Sequence, residues 1–223
     1  MLQGLKLLDG GDAKGALSTF SAVARGSGHP VEFLYDLRDR LSDAQRAGLW
    51  PDGRAYLYIE DFSGPKPPTL SKADESQGRT VTKSEIVPNA SPASGPAASL
   101  ELTASTQDGE SRYYVRAIVA LSEKSFGIKA YVKEDAPSDV RLWVGYWFEA
   151  AQKGSATVEA PTQTLENGWT LFDVRRDFLA EQREKAQKAG YDASDGVINA
   201  IALILPPGPA NRYWMAPIEL YIP

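Results

Sequence analysis

The sequence predicts a mainly β protein, an antiparallel β-sandwich preceded by a short α-helical segment. Three observations predict it. Short runs with strand alternation or strand-forming residues recur from Arg54 to Ile222. Turn signals separate them, among them Asp108-Gly109, Pro137-Ser138-Asp139, Asn167-Gly168 and Pro206-Pro207-Gly208. Such spacing is the pattern of a sandwich or barrel. Before Trp50-Pro51-Asp52-Gly53, by contrast, apolar residues recur at helical spacing.

The helical segment covers residues 1–50. Leu5, Leu8, Ala16, Phe20 and Val23 form its first stripe, interrupted at Gly10-Gly11-Asp12. Asp12 is placed to cap a helix over Ala13–Arg25, which Gly26-Ser27-Gly28 ends. Pro30 opens a third helix at a position that tolerates its missing N–H. The stripe of that helix runs through Phe33 or Leu34, Leu37, Leu41 and Ala44 and stops at Gly48.

The β region covers residues 54–223. Its predicted strands are Arg54–Phe62, Arg79–Val87, Ser99–Ser105, Tyr113–Leu121, Gly127–Lys133, Val140–Ala150, Trp169–Val174, Val197–Leu205 and Tyr213–Ile222. A Pro/Ser/Gly-rich stretch from Ser63 to Ser99 surrounds the second. One helix intrudes over Asp177–Ala189, rich in helix formers and closed by Gly190.

Composition narrows the functional classes. The 223 residues carry a net charge of −5 with both signs spread along the chain, which argues against nucleic acid and anionic lipid as partners. No apolar run approaches the roughly 18 residues of a membrane span, so membrane insertion is not expected. Cysteine is absent, which removes disulfides, thiolate metal sites and cysteine nucleophiles together. The single histidine, His29, precedes Pro30 with no acid or nucleophile beside it. No Gly-x-Ser-x-Gly elbow, phosphate loop or His-rich metal motif is present. The residues therefore point to a binding protein and not an enzyme. Residues 1–8 read as part of a helix and not as a signal peptide. An export signal, if there is one, is expected upstream.

Two resemblances add to this reading. Leu5-x-x-Leu8-x-x-Gly11-Asp12-x-x-x-Ala16-Leu17-x-x-Phe20-x-x-Val23, followed by Pro30, resembles part of one tetratricopeptide repeat. A plain helical hairpin explains the same residues. In the β region, Tyr58-Ile59-Glu60-Asp61-Phe62 is similar to the opening strand of the galactose-binding-like β-sandwich. Gly95-x-x-x-Ser99-Leu100-x-Leu102, Asn167-Gly168-Trp169-Thr170, Val197–Leu203 and Tyr213–Leu220 resemble its later strands, in order. The resemblance implies a jelly-roll topology of the carbohydrate-binding-module type and an exported bacterial protein working outside the cytoplasm (periplasmic, cell-surface or secreted). It also implies a structural calcium held in part by the acidic pair of the first strand and an Asp of the last. Here Ala216 and Pro217 replace that Asp. Since calcium needs six to eight oxygens, no metal and no other cofactor is expected.

The most informative strand is Asp139–Glu149. Side chains alternate between faces along a strand. Val140, Leu142, Val144, Tyr146 and Phe148 make an apolar core face. Arg141, Trp143, Gly145, Trp147 and Glu149 make the other. Flat aromatic rings suit the C–H faces of sugars, and charged groups suit their hydroxyls. If the strand carrying Lys129, Tyr131 and Lys133 pairs beside this one, Tyr131 joins the same platform. The candidate ligand-binding residues are therefore Arg141, Tyr131, Trp143, Trp147 and Glu149. Three readings stay open: a glycan platform, tryptophans covered by the chain's own helices, and an interface for a protein partner in an extracytoplasmic scaffold. Of the other tryptophans, Trp50 is expected between the two regions and Trp169 at the core edge. Trp214 is expected in the core with Ala216, Ile218, Leu220 and Ile222.

Overall fold

The computed structural model describes residues 2–62, 79–88, 99–106, 111–115 and 117–223. The Asp108-Gly109 turn, the start of the glycine–serine–leucine motif and most of the Pro/Ser/Gly-rich stretch lie outside the described residues.

Four helices come first: α1 (Leu2–Asp9), α2 (Ala13–Ser27), α3 (Pro30–Arg40) and α4 (Asp43–Leu49). Asp12 caps α2 by accepting the Gly15 N–H at 2.9 Å, and Gly28 ends it in the left-handed conformation (φ 69°). The single third helix expected over Pro30–Ala47 is in fact two. Ser42 interrupts it and starts α4 with a reciprocal capping box, in which Gln45 closes back on Ser42. The Ser-x-x-Gln spacing carried this signal.

Among the described residues the strands form two antiparallel sheets, one of eight strands and one of five. The larger contains β1 (Ala55–Glu60), β2 (Arg79–Val87), β3 (Ser99–Thr106), β6 (Phe126–Glu134), β9 (Gln163–Thr164), β10 (Trp169–Arg176), β12 (Gly208–Met215) and β13 (Ile218–Ile222). The smaller contains β4 (Ser111–Val115), β5 (Val119–Ala120), β7 (Arg141–Phe148), β8 (Lys153–Glu159) and β11 (Gly196–Leu205). Together they make a jelly-roll β-sandwich, the predicted fold class.

Within it, the predicted strand Tyr113–Leu121 is two short strands, β4 and β5, both on β11. Strand β8 went unpredicted. It is an edge strand of small and polar residues whose one large aliphatic, Val158, faces solvent, so no apolar alternation marks it.

The core lies between the sheets. Ile128, Ala130 and Val132 of β6 face Leu142, Val144, Tyr146 and Phe148 of β7, together with Ile201 and Leu203 of β11, all nearly inaccessible to solvent. Helix α5 (Phe178–Ala189) links β10 of one sheet to β11 of the other. Asp177, expected as its first residue, instead caps its start, and Gly190 (φ 78°) ends it as expected.

The N-terminal helices share this core. Ala16, Phe20, Leu34 and Leu37 belong to the same buried cluster as the sandwich, and α2 and α3 pack on β1. Among the described residues strand β1 pairs with β13 alone, so its other edge would leave backbone groups unpaired. Helix α2 supplies the cover. The Tyr58 N–H donates to Ser21 Oγ at 3.1 Å, and that hydroxyl donates to Leu17 O at 2.8 Å. Ser21→Ala would strand a buried N–H, so a loss of about 1–3 kcal/mol is expected in denaturant unfolding. A change within about 0.5 kcal/mol, the range of a neutral surface substitution, would show that the hydroxyl contributes nothing there. Trp50 joins the two regions, donating from Nε1 to Tyr56 O at 3.1 Å.

The acidic pair that follows Ile59 is engaged within the chain. Asp61 forms an ion pair with Arg25 of α2 at 2.8 Å, and Glu60 accepts the Phe62 N–H at 2.7 Å.

Candidate functional site

Strand β7 presents the faces that its alternation predicts. Leu142, Val144, Tyr146 and Phe148 are buried, while Arg141, Trp143 and Trp147 are half-buried on the outer face of the five-stranded sheet. The six-membered ring of Trp143 lies over Gly145. A Cβ at that glycine would fall 2.1 Å from the indole, so only glycine permits this ring position. Tyr114 of β4 meets the same indole edge-on at 5.4 Å, and the Arg112 guanidinium sits 5.5 Å from its centre. The cross-strand neighbours are small. Trp143 lies between Ala202 and Val158, Gly145 between Ala200 and Ala156, and Trp147 between Val197 and Gly154. The result is a platform with two indoles over a floor of glycine, alanine and valine.

Its charged rim has a defined geometry. Trp147 Nε1 donates to Glu149 Oε2 at 2.7 Å, and Gln152 Nε2 donates to the same residue's Oε1 at 3.1 Å. Glu149 therefore holds the Trp147 indole in place while remaining exposed itself. Arg141 stands 3.8 Å from Asp139. The sequence reading missed Arg112 and Tyr114. Their signal was the alternation Arg112-Tyr113-Tyr114-Val115, with Tyr113 and Val115 on the inner side.

Tyr131 is not on this platform, because the expected pairing of its strand with β7 does not occur. Strand β6 lies between β10 on one edge and β12 and β13 on the other, in the opposite sheet. Alternation assigns a residue to one face of its own strand, and strand order decides which sheet that face belongs to.

A second correction concerns Trp214. It does not share a face with Ile218, Leu220 and Ile222. Between Met215↔Val132 and Glu219↔Lys129 the chain advances four residues against three of β6, a one-residue bulge at Ala216-Pro217. The bulge reverses the alternation. Ile218, Leu220 and Ile222 stay in the main core, while Trp214 and Ala216 turn to the outer face and form a small second cluster with Tyr131 and Trp169. Trp214 Nε1 is satisfied by Glu101 at 2.8 Å.

Beside that cluster the outer face of the larger sheet carries Tyr56, Tyr58, Tyr131, Tyr221, Lys129 and Glu219. The register sets Tyr56 opposite Tyr221, Tyr58 opposite Glu219, and Glu219 opposite Lys129. The Tyr221 ring lies over Gly127, where a Cβ would come within 2.2 Å of it, and its hydroxyl donates to Asp173. Burial pushes the Glu219 carboxyl up to about 7, partly offset by Lys129 and by a hydrogen bond with Tyr131. Burial also raises the Tyr58, Tyr131 and Tyr221 phenols, so all three stay protonated at neutral pH. With Pro51, Asp52 and Arg54, the side chains of Tyr56, Lys129, Tyr131, Glu219 and Tyr221 border a pocket of about 220 Å³.

The exposed His29 precedes Pro30 on the helical segment. Among the described residues, no group of three or more His, Asp or Glu side chains is placed to hold a metal ion, and no helix is long and apolar enough to cross a membrane.

No family model matches the sequence, and no curated protein matches it. Some solved structures superimpose on part of this chain at low identity. The family 11 carbohydrate-binding module of the cellulosomal cellulase Lic26A-Cel5E of Clostridium thermocellum superimposes with a TM-score of 0.47 at 15% identity, covering 74% of this chain and 94% of that one. The Clostridium thermocellum family 11 module in complex with a β-1,3-1,4-mixed-linked tetrasaccharide gives 0.45 at 12% identity, with the same coverage of 74% and 94%. A family 30 carbohydrate-binding module gives 0.47 at 12% identity, covering 74% and 87%.

Proposed function

We propose that this chain is a non-catalytic carbohydrate-binding module that holds a glycan on the outer face of the five-stranded sheet. The observation that carries the reading is the Trp143/Trp147 pair, partly exposed over a floor of small residues and rimmed by Arg112, Arg141 and Glu149. Exposed aromatic surface held rigidly by Gly145 and Glu149 offers stacking to the C–H faces of sugar rings, and it loses little side-chain entropy on binding. The charged rim offers hydrogen bonds to hydroxyls on either side. Tyr131, on the opposite sheet, is no part of this platform. The resemblance of the strand motifs favours a module that works outside the cytoplasm of a bacterium.

The test pairs a glycan array with the double variant Trp143→Ala/Trp147→Ala. The expected result is binding to a defined glycan that falls at least about tenfold in the variant, a loss of about 1.4 kcal/mol or more, with the melting temperature nearly unchanged. Destabilisation by about 3–5 kcal/mol, the cost of removing a buried tryptophan, would instead assign the pair to a second core. A silent array together with one stoichiometric protein partner recovered from native extract would overturn the glycan reading.

A further inference from the structure

The pocket over the eight-stranded sheet is bordered by charges whose partnering is unequal. Asp52 accepts the Arg54 N–H at 3.1 Å, which closes the turn into β1. Glu219 is 8% exposed, takes part in a hydrogen bond with Tyr131 and sits across from Lys129. The two acids are thus engaged by neighbouring groups.

The two cations are not held in the same way. The Arg54 guanidinium and the Lys129 ammonium approach the Tyr221 ring at 5.9 Å and 5.0 Å from its centre, and neither makes an ion pair among the described residues. A cation–π contact is weak where solvent reaches it and leaves N–H donors available for an incoming acceptor. Tyr56 adds a half-buried ring at the same pocket. The volume of about 220 Å³ lies below the usual ~300 Å³ floor for drug-sized ligands, which leaves room for a single small ring.

We propose that this pocket is a second binding site, for a carboxylated monosaccharide of the uronic acid class. The ligand carboxylate lies between Arg54 and Lys129, where a guanidinium and an ammonium give charge-assisted hydrogen bonds. The sugar ring rests against Tyr56, and its hydroxyls reach Asp52 and Glu219. The site is on the opposite sheet from Trp143 and Trp147 and does not depend on the glycan reading of that face.

Calorimetric titration of the full chain at neutral pH tests it, with glucuronate and galacturonate against glucose, galactose and acetate. Saturable uronate binding is expected, at least about tenfold tighter than that of the neutral sugars, the size of effect that one charge-assisted bond supplies. Acetate should bind more weakly than either uronate because it lacks the ring. Arg54→Gln and Lys129→Gln should each weaken uronate binding about tenfold, and Trp143→Ala/Trp147→Ala should leave it unchanged. Arg54 is exposed, so Arg54→Gln should retain the parent melting temperature, while Lys129→Gln, which loses the charge that partly offsets buried Glu219, is titrated below its own melting transition. Uronate shifts in NMR spectra should map to β1, β6 and β13. The proposal is overturned by no saturable uronate binding at millimolar concentration, by neutral sugars or acetate binding equally well, or by binding that survives both charge variants.

Discussion

Phe178→Ala is expected to destabilise the protein by about 3–5 kcal/mol, the range for deleting a buried aromatic side chain. Phe178 opens α5 and is 1% exposed. Its ring stacks on Phe126 at 4.7 Å and approaches Tyr146 at 6.3 Å, so it touches one strand of each sheet. Helix α5 otherwise carries a polar surface, with Leu179, Gln182 and Ala186 as its other buried positions. Removing Phe178 leaves a cavity at the point where the two sheets and the helix meet. For a chain of this size, each kcal/mol lowers the melting temperature by about 2–4 °C, so a fall of roughly 10 °C is expected in a thermal scan. A fall of only a degree or two would mean that the helix end collapses onto Phe126 and fills the space. The glycan binding proposed for the Trp143/Trp147 platform should survive in the folded variant, since that face points away from the core.

Glu219→Gln is expected to remove a large pH dependence of stability. Folded Glu219 keeps its proton to about pH 7 because burial disfavours the carboxylate, whereas the unfolded side chain releases it near 4.5. Between those values the native state binds more protons, so stability falls as pH rises. The contribution is complete below about pH 4.5 and is lost through pH 7. At about 1.4 kcal/mol per pH unit the gap is worth about 3 kcal/mol, with little solvent screening for a side chain that is 8% exposed. The difference in unfolding free energy between parent and variant should be flat in acid. It should then shift by about 3 kcal/mol in favour of the variant by pH 8. Glutamine keeps the shape and a hydrogen bond to Tyr131 and cannot ionise. A difference that stays constant from pH 4 to 8 would show that Lys129 fully compensates the buried charge.

Most local structure was legible in the sequence. Asp12, Asp177, Gly28 and Gly190 delimit helices where their chemistry requires, and the alternation along Leu142–Phe148 correctly divides inward from outward residues. The failures share a cause. Ser42 splits a helix through a capping box that an apolar stripe runs straight across. Val158 sits alone on an edge strand, so β8 leaves no pattern. The platform residues Arg112 and Tyr114 come from a strand separated from β7 by β11, which no spacing along the chain reveals.

The residues alone thus define a β-sandwich with helices at its start and one outward face bearing Trp143 and Trp147. Side-chain alternation is a local property of an extended backbone, so it can be read within a single strand. Which faces come together depends on the closed fold. That fold places Tyr131 in the opposite sheet, and through one extra residue at Ala216-Pro217 it turns Trp214 out of the main core. A strand's neighbours follow from how the whole chain closes its two sheets, and a single inserted residue reverses every face beyond it.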